Sequence, residues 1–439
     1  MRTCWSVMEK SAEVSLPRVV LSHSGIQYTY QIALALQEVG ALEKFYGTLC
    51  YHEKYWLIKA FKSLPPALSE KILNLLKRRQ YSHLNSETVV IHPWPEIMAR
   101  LIRSLAGRNY FTNNALQHYQ CRQFDSYVSA KLDRLTFDVF IGLSGSALHS
   151  LRRAKTLGKI AIIDQHDIHY QAAARFLSEE LEACPEFKET IPYWPPYQPY
   201  LDVVRQEMEE ADFILVPSTF ALESHLAAGI PKEKLVLMLH AVEPQYEVLC
   251  DRRISSRPFR ILFVGTISQR KGIKYLLEAV KQLNKPNIEL TLVGEAHRKI
   301  DLLALYEPYF KWVGYVPHEQ LKSYFEQSDV LVLPTIYDAF GLSALEAMAA
   351  GLPVIVSENC AAGSDVVRDG IDGYVVPIRD VEVLKDRLLR LYHNQELREI
   401  MSRNASARVK TFHWQSYLTQ LGSFLELIKE RTDQKEVSV

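Results

Sequence analysis

Residues 330–356 read VLVLPTIYDAFGLSALEAMAAGLPVIV, and the order of residue types within them decides the fold. The apolar, β-branched run 330–333 suits a strand buried on both faces of a parallel sheet, and Pro334, which has no N–H for a ladder, ends it. From Ala339 to Ala350 most residues are strong helix formers, closed by Gly351 and Pro353. A second apolar run, 354–356, follows at once. Strand, turn, helix and strand make a βαβ unit, since parallel strands need a crossover of this kind. Two acids stand at set places: Asp338 just ahead of the helix, and Glu346 eight positions later within it. A helix start leaves N–H groups without intrahelical acceptors, here around Phe340, Gly341 and Leu342, and such a start can hold a phosphate. Asp338 also fits a helix N-cap.

The same alternation runs outward in both directions. Short apolar runs at 18–22, 89–92, 139–142, 160–164 and 213–217, and again at 260–264, 289–293, 330–333 and 354–356, alternate with amphipathic stretches. That is the pattern of an α/β protein with open parallel sheets covered by helices on both faces. At 439 residues the chain exceeds one typical domain. The polar stretch DRRISSRP at 251–258 is the natural joint, so the sequence predicts two Rossmann-like, doubly wound domains over residues 1–250 and 251–439. Ligands of such sheets bind outside the carboxyl ends of the strands, and two facing sheets would enclose a cleft.

Lys plus Arg and Asp plus Glu each number 51, so no net charge points to nucleic acid. The six cysteines form no C-x-x-C pair, which fits neither a structural zinc site nor a disulfide framework and leads to the expectation of a reducing, cytoplasmic setting. Acidic and polar residues interrupt the first 23 positions, and no run reaches about 18 apolar residues, so neither a signal peptide nor a spanning helix is expected. The segment 54–79, KYWLIKAFKSLPPALSEKILNLLKRR, sets Trp56, Leu57, Ile58, Phe61, Ile72, Leu73, Leu75 and Leu76 beside Lys54, Lys59, Lys62, Lys71, Lys77, Arg78 and Arg79. It suits either core packing under a solvated basic face or a helix lying on an anionic bilayer, peripheral at the inner membrane face.

Several loops at strand ends carry chemistry. The run 261–265 ends at Gly265 and leads into TISQRKG, where Arg270 and Lys271 together can neutralise a diphosphate or form a solvated turn. Its Lys-Gly order is not a Walker loop. The lack of G-x-G-x-x-G after the strands weakens a nicotinamide-dependent reading. IIDQHDIH at 162–169 follows a strand and offers His166, whose imidazole can hydrogen-bond a hydroxyl. His166 and His169 at i, i+3 would ligate a metal only on a helix with further ligands nearby, and no D-x-D is placed to hold Mg²⁺, so no metal is expected. Arg270, Lys271 and a helix dipole would neutralise the phosphates instead. Gly25, after the first strand, permits close backbone approach or a plain turn. Gly314 and Val316 end another strand before a Pro317-led helix.

The run D-A-F-G-x-x-x-x-E-A-M-A-x-G-x-P-V-I at 338–355 resembles the acid-x7-acid signature of the retaining nucleotide-sugar glycosyltransferases of family 4, which commonly reads E-G-F-G at its start. Asp338 stands where that family has Glu, and Ala339 where it has Gly. The likeness is best over about residues 205–415. It implies a GT-B fold, transfer of a sugar from a UDP- or GDP-linked donor to an acceptor hydroxyl with retention of configuration, and no cofactor. A role in polysaccharide or glycolipid synthesis follows from it, with a glycan, glycolipid or small molecule as acceptor. By position it implies that Lys271 holds the diphosphate, helped by Arg270 because Thr266 replaces the family's arginine. It implies Glu346 on the ribose, Asp338 and His166 near the sugar, and Gly265, Phe340, Gly341 and Leu342 near the phosphates. Gly314 and Val316 would line the base pocket, and Gly25 would match the phosphate-side loop of the first domain. A helix at 414–428 would cross back to that domain. The departures at 338 and 266 support one rival, a non-catalytic nucleotide-sugar-binding or scaffolding protein of the same fold.

Overall fold

The computed structural model describes residues 16–25, 29–49, 83–106, 110–191, 196–242, 258–296 and 301–437, with scattered positions between 58 and 76. Seven strands, β1 (Val19–His23), β2 (Leu42–Gly47), β3 (Val89–Ile91), β4 (Val139–Leu143), β5 (Ile160–Asp164), β6 (Phe213–Val216) and β7 (Leu235–Leu237), form the first sheet. Their order is β3-β2-β1-β4-β5-β6-β7. Six more, β8 (Phe259–Val264), β9 (Ile288–Val293), β10 (Lys311–Gly314), β11 (Val330–Leu333), β12 (Val354–Ser357) and β13 (Gly373–Val376), form the second in the order β10-β9-β8-β11-β12-β13. Every pairing within both sheets is parallel. Strand order reverses beside β1 in the first sheet, between β1 and β4, and beside β8 in the second, between β8 and β11. Crevices for ligands open at such reversals.

The apolar runs at the sheet centres became strands because residues such as Val139, Phe140 and Ile141, or Val330, Leu331 and Val332, are fully buried. β2, β7 and β13 were not among the runs read as strands, and β10 was marked only by its end at Gly314. β2 is LEKFYG, whose first half is only partly buried and carries charge. β7 and β10 lie at sheet edges, and β13 is four residues opening on glycine.

The first domain is described as far as Val242 and the second from Pro258, so most of the joint at 251–258 lies outside the described residues. The long helix Trp414–Val437 returns to the first domain. Tyr417, Leu421, Phe424, Leu425 and Ile428 share a core with Val19, Leu21, Ile162 and Phe213. Trp414 Nε1 donates to Glu38 at 2.8 Å.

A buried polar joint also ties the domains. Glu180, fully buried on the helix Tyr170–Ala183, accepts from Gln269 Nε2 at 2.6 Å, Tyr275 Oη at 2.9 Å and Arg379 Nε at 2.8 Å, all of the second domain. Thr190 Oγ1 accepts from the Gln269 N–H at 2.8 Å, and Lys274 pairs with Glu186 at 2.7 Å. In the segment 54–79, Ile58 and Leu76 are buried and pack with Leu49, Phe61 and Leu73. Trp56, Leu57, Ile72, Leu75 and the cations Lys54, Lys59, Lys71, Lys77, Arg78 and Arg79, on which the membrane reading rested, lie outside the described residues.

Candidate active site

The two loops at the β8/β11 reversal are laced together. Arg270 offers its carbonyl to the Ile336 N–H at 2.9 Å and to Thr335 Oγ1 at 3.0 Å. Gly272 closes the basic loop in the left-handed region, φ 68°, and a Cβ there would collide with the Pro334 carbonyl oxygen. Glycine is therefore required twice over, by conformation and by space. The lacing brings Lys271 Nζ onto Asp338 Oδ2, both side chains being 16% exposed. Burial alone would raise the Asp338 carboxyl; the Lys271 ammonium and then the Arg270 guanidinium outweigh it and hold it below the ordinary carboxylate value. Arg270 stands over the Tyr337 ring, 5.3 Å from its centroid. Burial opposes the charge of Arg270, but Tyr337, Asp338 and Asp167 together raise its pKa. Asp167 belongs to the first domain, so this cationic centre is shared across the cleft.

The helix after the acid begins later than the sequence suggested. It spans Leu342–Ala349, with Gly341 at its N-cap in the left-handed region, φ 81°. A Cβ on Gly341 would run into Cys360 Sγ. Asp338 is thus not the cap; its Oδ1 accepts from the Phe340 N–H at 3.4 Å in a turn ahead of the helix. The orphan donors of the first turn fall at Leu342 and Ser343, with the Phe340 N–H spent on Asp338. Leu342 is 37% exposed at this mouth. Glu346, one turn on, accepts from His318 Nε2 at 2.9 Å, and its side chain is 17% exposed. His318 opens the helix His318–Gln327 and was not singled out in the sequence. Its only signal was a place just after the Gly314–Val316 loop. The Gly314 carbonyl accepts from the Gly294 N–H at 2.8 Å, and Val316 is buried. Gly265 also bonds Val293 through its N–H at 2.9 Å.

From the first domain, one histidine approaches this helix start. His240 meets the Phe340 ring edge-on, with centroids 4.8 Å apart. Burial, then the charge of His166, pushes His240 and His23 each down to about 3. Burial pushes Asp164, at the end of β5, up to about 6, against the pull of His166. His166 Nδ1 is buried with no hydrogen-bond partner among the described residues. His169 has a structural place instead, accepting from the Gln171 N–H at 3.4 Å as N-cap of its helix. Gly25 gives its N–H to His23 Nδ1 at 2.9 Å, so that donor is already engaged. Among the described residues no group of three or more His, Cys, Asp or Glu side chains is placed to hold a metal ion.

Of the residues singled out in the sequence, Arg270, Lys271 and Asp338 form one cluster; Phe340, Gly341, Leu342 and Glu346 lie on the short helix and turn beside it. His166 lies in the first domain, where its charge bears on His23, His240 and Asp164. Gly25 lies at the β1 end, beside His23. Tyr337, Asp167 and His240 were missed because each reads in sequence as an ordinary loop residue.

Comparison with known proteins fits this geometry. Residues 251–408 match the family described as Glycosyl transferases group 1. The chain is 29% identical over 215 residues to the amylovoran biosynthesis glycosyltransferase AmsK of Erwinia amylovora, covering 46% of this chain and 53% of that protein. It is 28% identical to the O-antigen chain mannosyltransferase B of Escherichia coli over 57% of this chain and 68% of that one. The chain therefore spans about half to two thirds of the length of these curated relatives. Among solved structures, sucrose-phosphate synthase from Thermosynechococcus elongatus superposes with a TM-score of 0.65 at 18% identity, over 94% of this chain and 100% of the other. WaaG, a glycosyltransferase involved in lipopolysaccharide biosynthesis, gives 0.60 at 16%, over 93% and 99%. The architecture is GT-B.

Proposed function

We propose that the protein is a retaining glycosyltransferase that moves a sugar from a nucleoside diphosphate to an acceptor hydroxyl. The observation that carries this is the joining of Arg270, Lys271 and Asp338 at the β8/β11 reversal, directly before the helix start at Leu342. A diphosphate placed there would meet two cations and the positive end of a helix, and its charge grows as the sugar–phosphate bond breaks. Lys271 would then share its charge between Asp338 and the phosphate. Glu346 would take the ribose hydroxyls, leaving His318 at the edge of the base pocket. His166, with a buried ring nitrogen to spare, would hydrogen-bond the sugar from the opposite wall.

For retention, the C1–phosphate bond breaks as the acceptor oxygen bonds C1 from the same face, and the acceptor proton passes to the departing phosphate oxygen. The protein's own contribution is then orientation and electrostatics. The names of the relatives favour an acceptor in surface polysaccharide synthesis. The two cations make a metal unnecessary for holding the phosphates in this reading, so activity should survive EDTA.

A thermal-shift screen with UDP-, GDP- and dTDP-sugars tests the donor, because a ligand of the native state alone raises its melting temperature. One nucleotide series should stabilise the protein by several degrees, and the stabilising sugar should then be turned over. Binding without turnover on any acceptor would favour the scaffolding reading, and loss of activity with EDTA restored by Mg²⁺ would overturn metal independence.

A further inference from the structure

The loop between β11 and the short helix sends one large side chain into the other domain. Main-chain bonds tie the loop to its own sheet: the Ile336 N–H reaches the Arg270 carbonyl at 2.9 Å, and the Asp338 N–H reaches the Asn359 carbonyl at 2.9 Å. Tyr337, between them, is 5% exposed and shares a core with Ile168, Leu177, Val216 and Ala221 of the first domain. Its ring is stacked on Phe176, with centroids 6.1 Å and planes 27° apart. Phe176 leans in turn on Phe220, 6.2 Å away. The helix that carries Phe176 is gripped by the second domain, since Arg379 donates to the Phe176 carbonyl at 3.4 Å and to Glu180 at 2.8 Å.

Burial accounts for the packing of this ring but not for the cation above it. The Arg270 guanidinium carbon stands 5.3 Å from the Tyr337 centroid. Its neighbour Lys271 spends its charge on Asp338. A ring face orients a guanidinium in another way, leaving most of its five N–H donors for a further ligand. Fixing a long cationic side chain costs rotamer entropy, so a cation already fixed when an anion arrives holds it more tightly.

We propose that Tyr337 is a positioning residue for the diphosphate: braced against Phe176 of the first domain, its ring holds the Arg270 guanidinium where the two phosphates bind. The proposal rests on the reading of this cluster as the diphosphate site, and adds that the site is completed from the first domain. Tyr337 itself touches no substrate; it acts through Arg270.

Titration calorimetry with UDP, GDP, UMP and GMP tests it, because the second phosphate carries the charge that the leaving group develops. For the base that binds, Arg270→Met should lower diphosphate affinity by about tenfold and monophosphate affinity by less than about threefold. Tyr337→Met keeps an apolar side chain in the joint and removes the ring, and should show the same selective loss. Tyr337→Phe should stay within about threefold of the wild type on the diphosphate. The double variant should bind no more weakly than Arg270→Met alone, since the ring works through the cation. If Tyr337→Met fails to fold, Phe176→Met takes its place in the same cycle, with the same selective and non-multiplying loss expected. Equal losses on both phosphates, losses that multiply in the double variant, or no recovery with phenylalanine would reduce Tyr337 to packing and overturn the proposal. A wild type that binds neither base series, or an Arg270→Met variant that binds the diphosphate as well as the wild type, would overturn the reading of the cluster itself, and the proposal with it.

Discussion

Asp338 shows what a one-residue difference does to a site. The resemblance placed a glutamate at this position, and the shorter aspartate comes to rest on Lys271 instead of reaching past it. The acids and cations were legible because their residue types and spacing name them. Their pairing was not, since it depends on two loops 67 residues apart meeting at a sheet reversal. Nor was the grouping of the histidines, although His166 itself was named: His23, His166 and His240 come from three separate strand ends, and nothing local marks them as neighbours. Asp164, beside them, offers a test of that environment. Its folded pKa is raised to about 6, so its contribution to stability is whole below the ordinary value of 3.8 and is lost as pH rises through 6. Asp164→Asn should therefore gain on the wild type by on the order of 2 kcal/mol between pH 4 and pH 7.5 in urea unfolding. A difference between the two proteins that does not change with pH would show that burial has not raised this carboxyl.

Among the elements, those with continuous apolar runs or strong helix formers were readable, and those stabilised by position in the sheet were not. β11 and β12 declare themselves through VLVL and VIV, whereas β10, KWVG, is held at an edge by its pairing with β9. The helix start moved from Ala339 to Leu342 because Gly341 adopts a conformation the helix cannot continue and sits against Cys360. The Lys-Gly pair of the basic loop has a comparable origin. Gly272 allows the chain to pass beneath Pro334 and so sets Lys271 beside Asp338. Gly272→Ala should destabilise the protein by about 3 kcal/mol, from the left-handed backbone and the collision together, and should abolish donor stabilisation in thermal shift. A variant as stable as the wild type would show that the two loops are not held at this distance.

At the scale of the whole molecule, the two domains were legible as two sets of alternating strands and helices, but their joint was not. It consists of a helix that returns from the C-terminal end and a buried carboxylate, Glu180, that binds three groups of the other domain. In sequence Glu180 is one acid in the run SEELEA, with no mark of burial. Glu180→Ala leaves Gln269, Tyr275 and Arg379 with polar groups to rehydrate inside the joint, and should lower stability by about 2–4 kcal/mol in urea unfolding. A change within about 0.5 kcal/mol would mean that Glu180 does not help hold the domains together.

The joint matters for function because it holds Asp167 of one domain within electrostatic reach of Arg270 of the other. The central claim, that this shared centre carries the leaving diphosphate, is tested most directly by the turnover of the stabilising nucleotide sugar by the wild type and by Lys271→Met, which keeps the apolar stem and removes the charge. The account predicts that the variant binds donor with less than about tenfold loss while its kcat falls by more than tenfold, because the missing charge matters most as the phosphate departs. An equal kcat in a folded variant, or a wild type that neither binds nor turns over any nucleotide sugar, would contradict it.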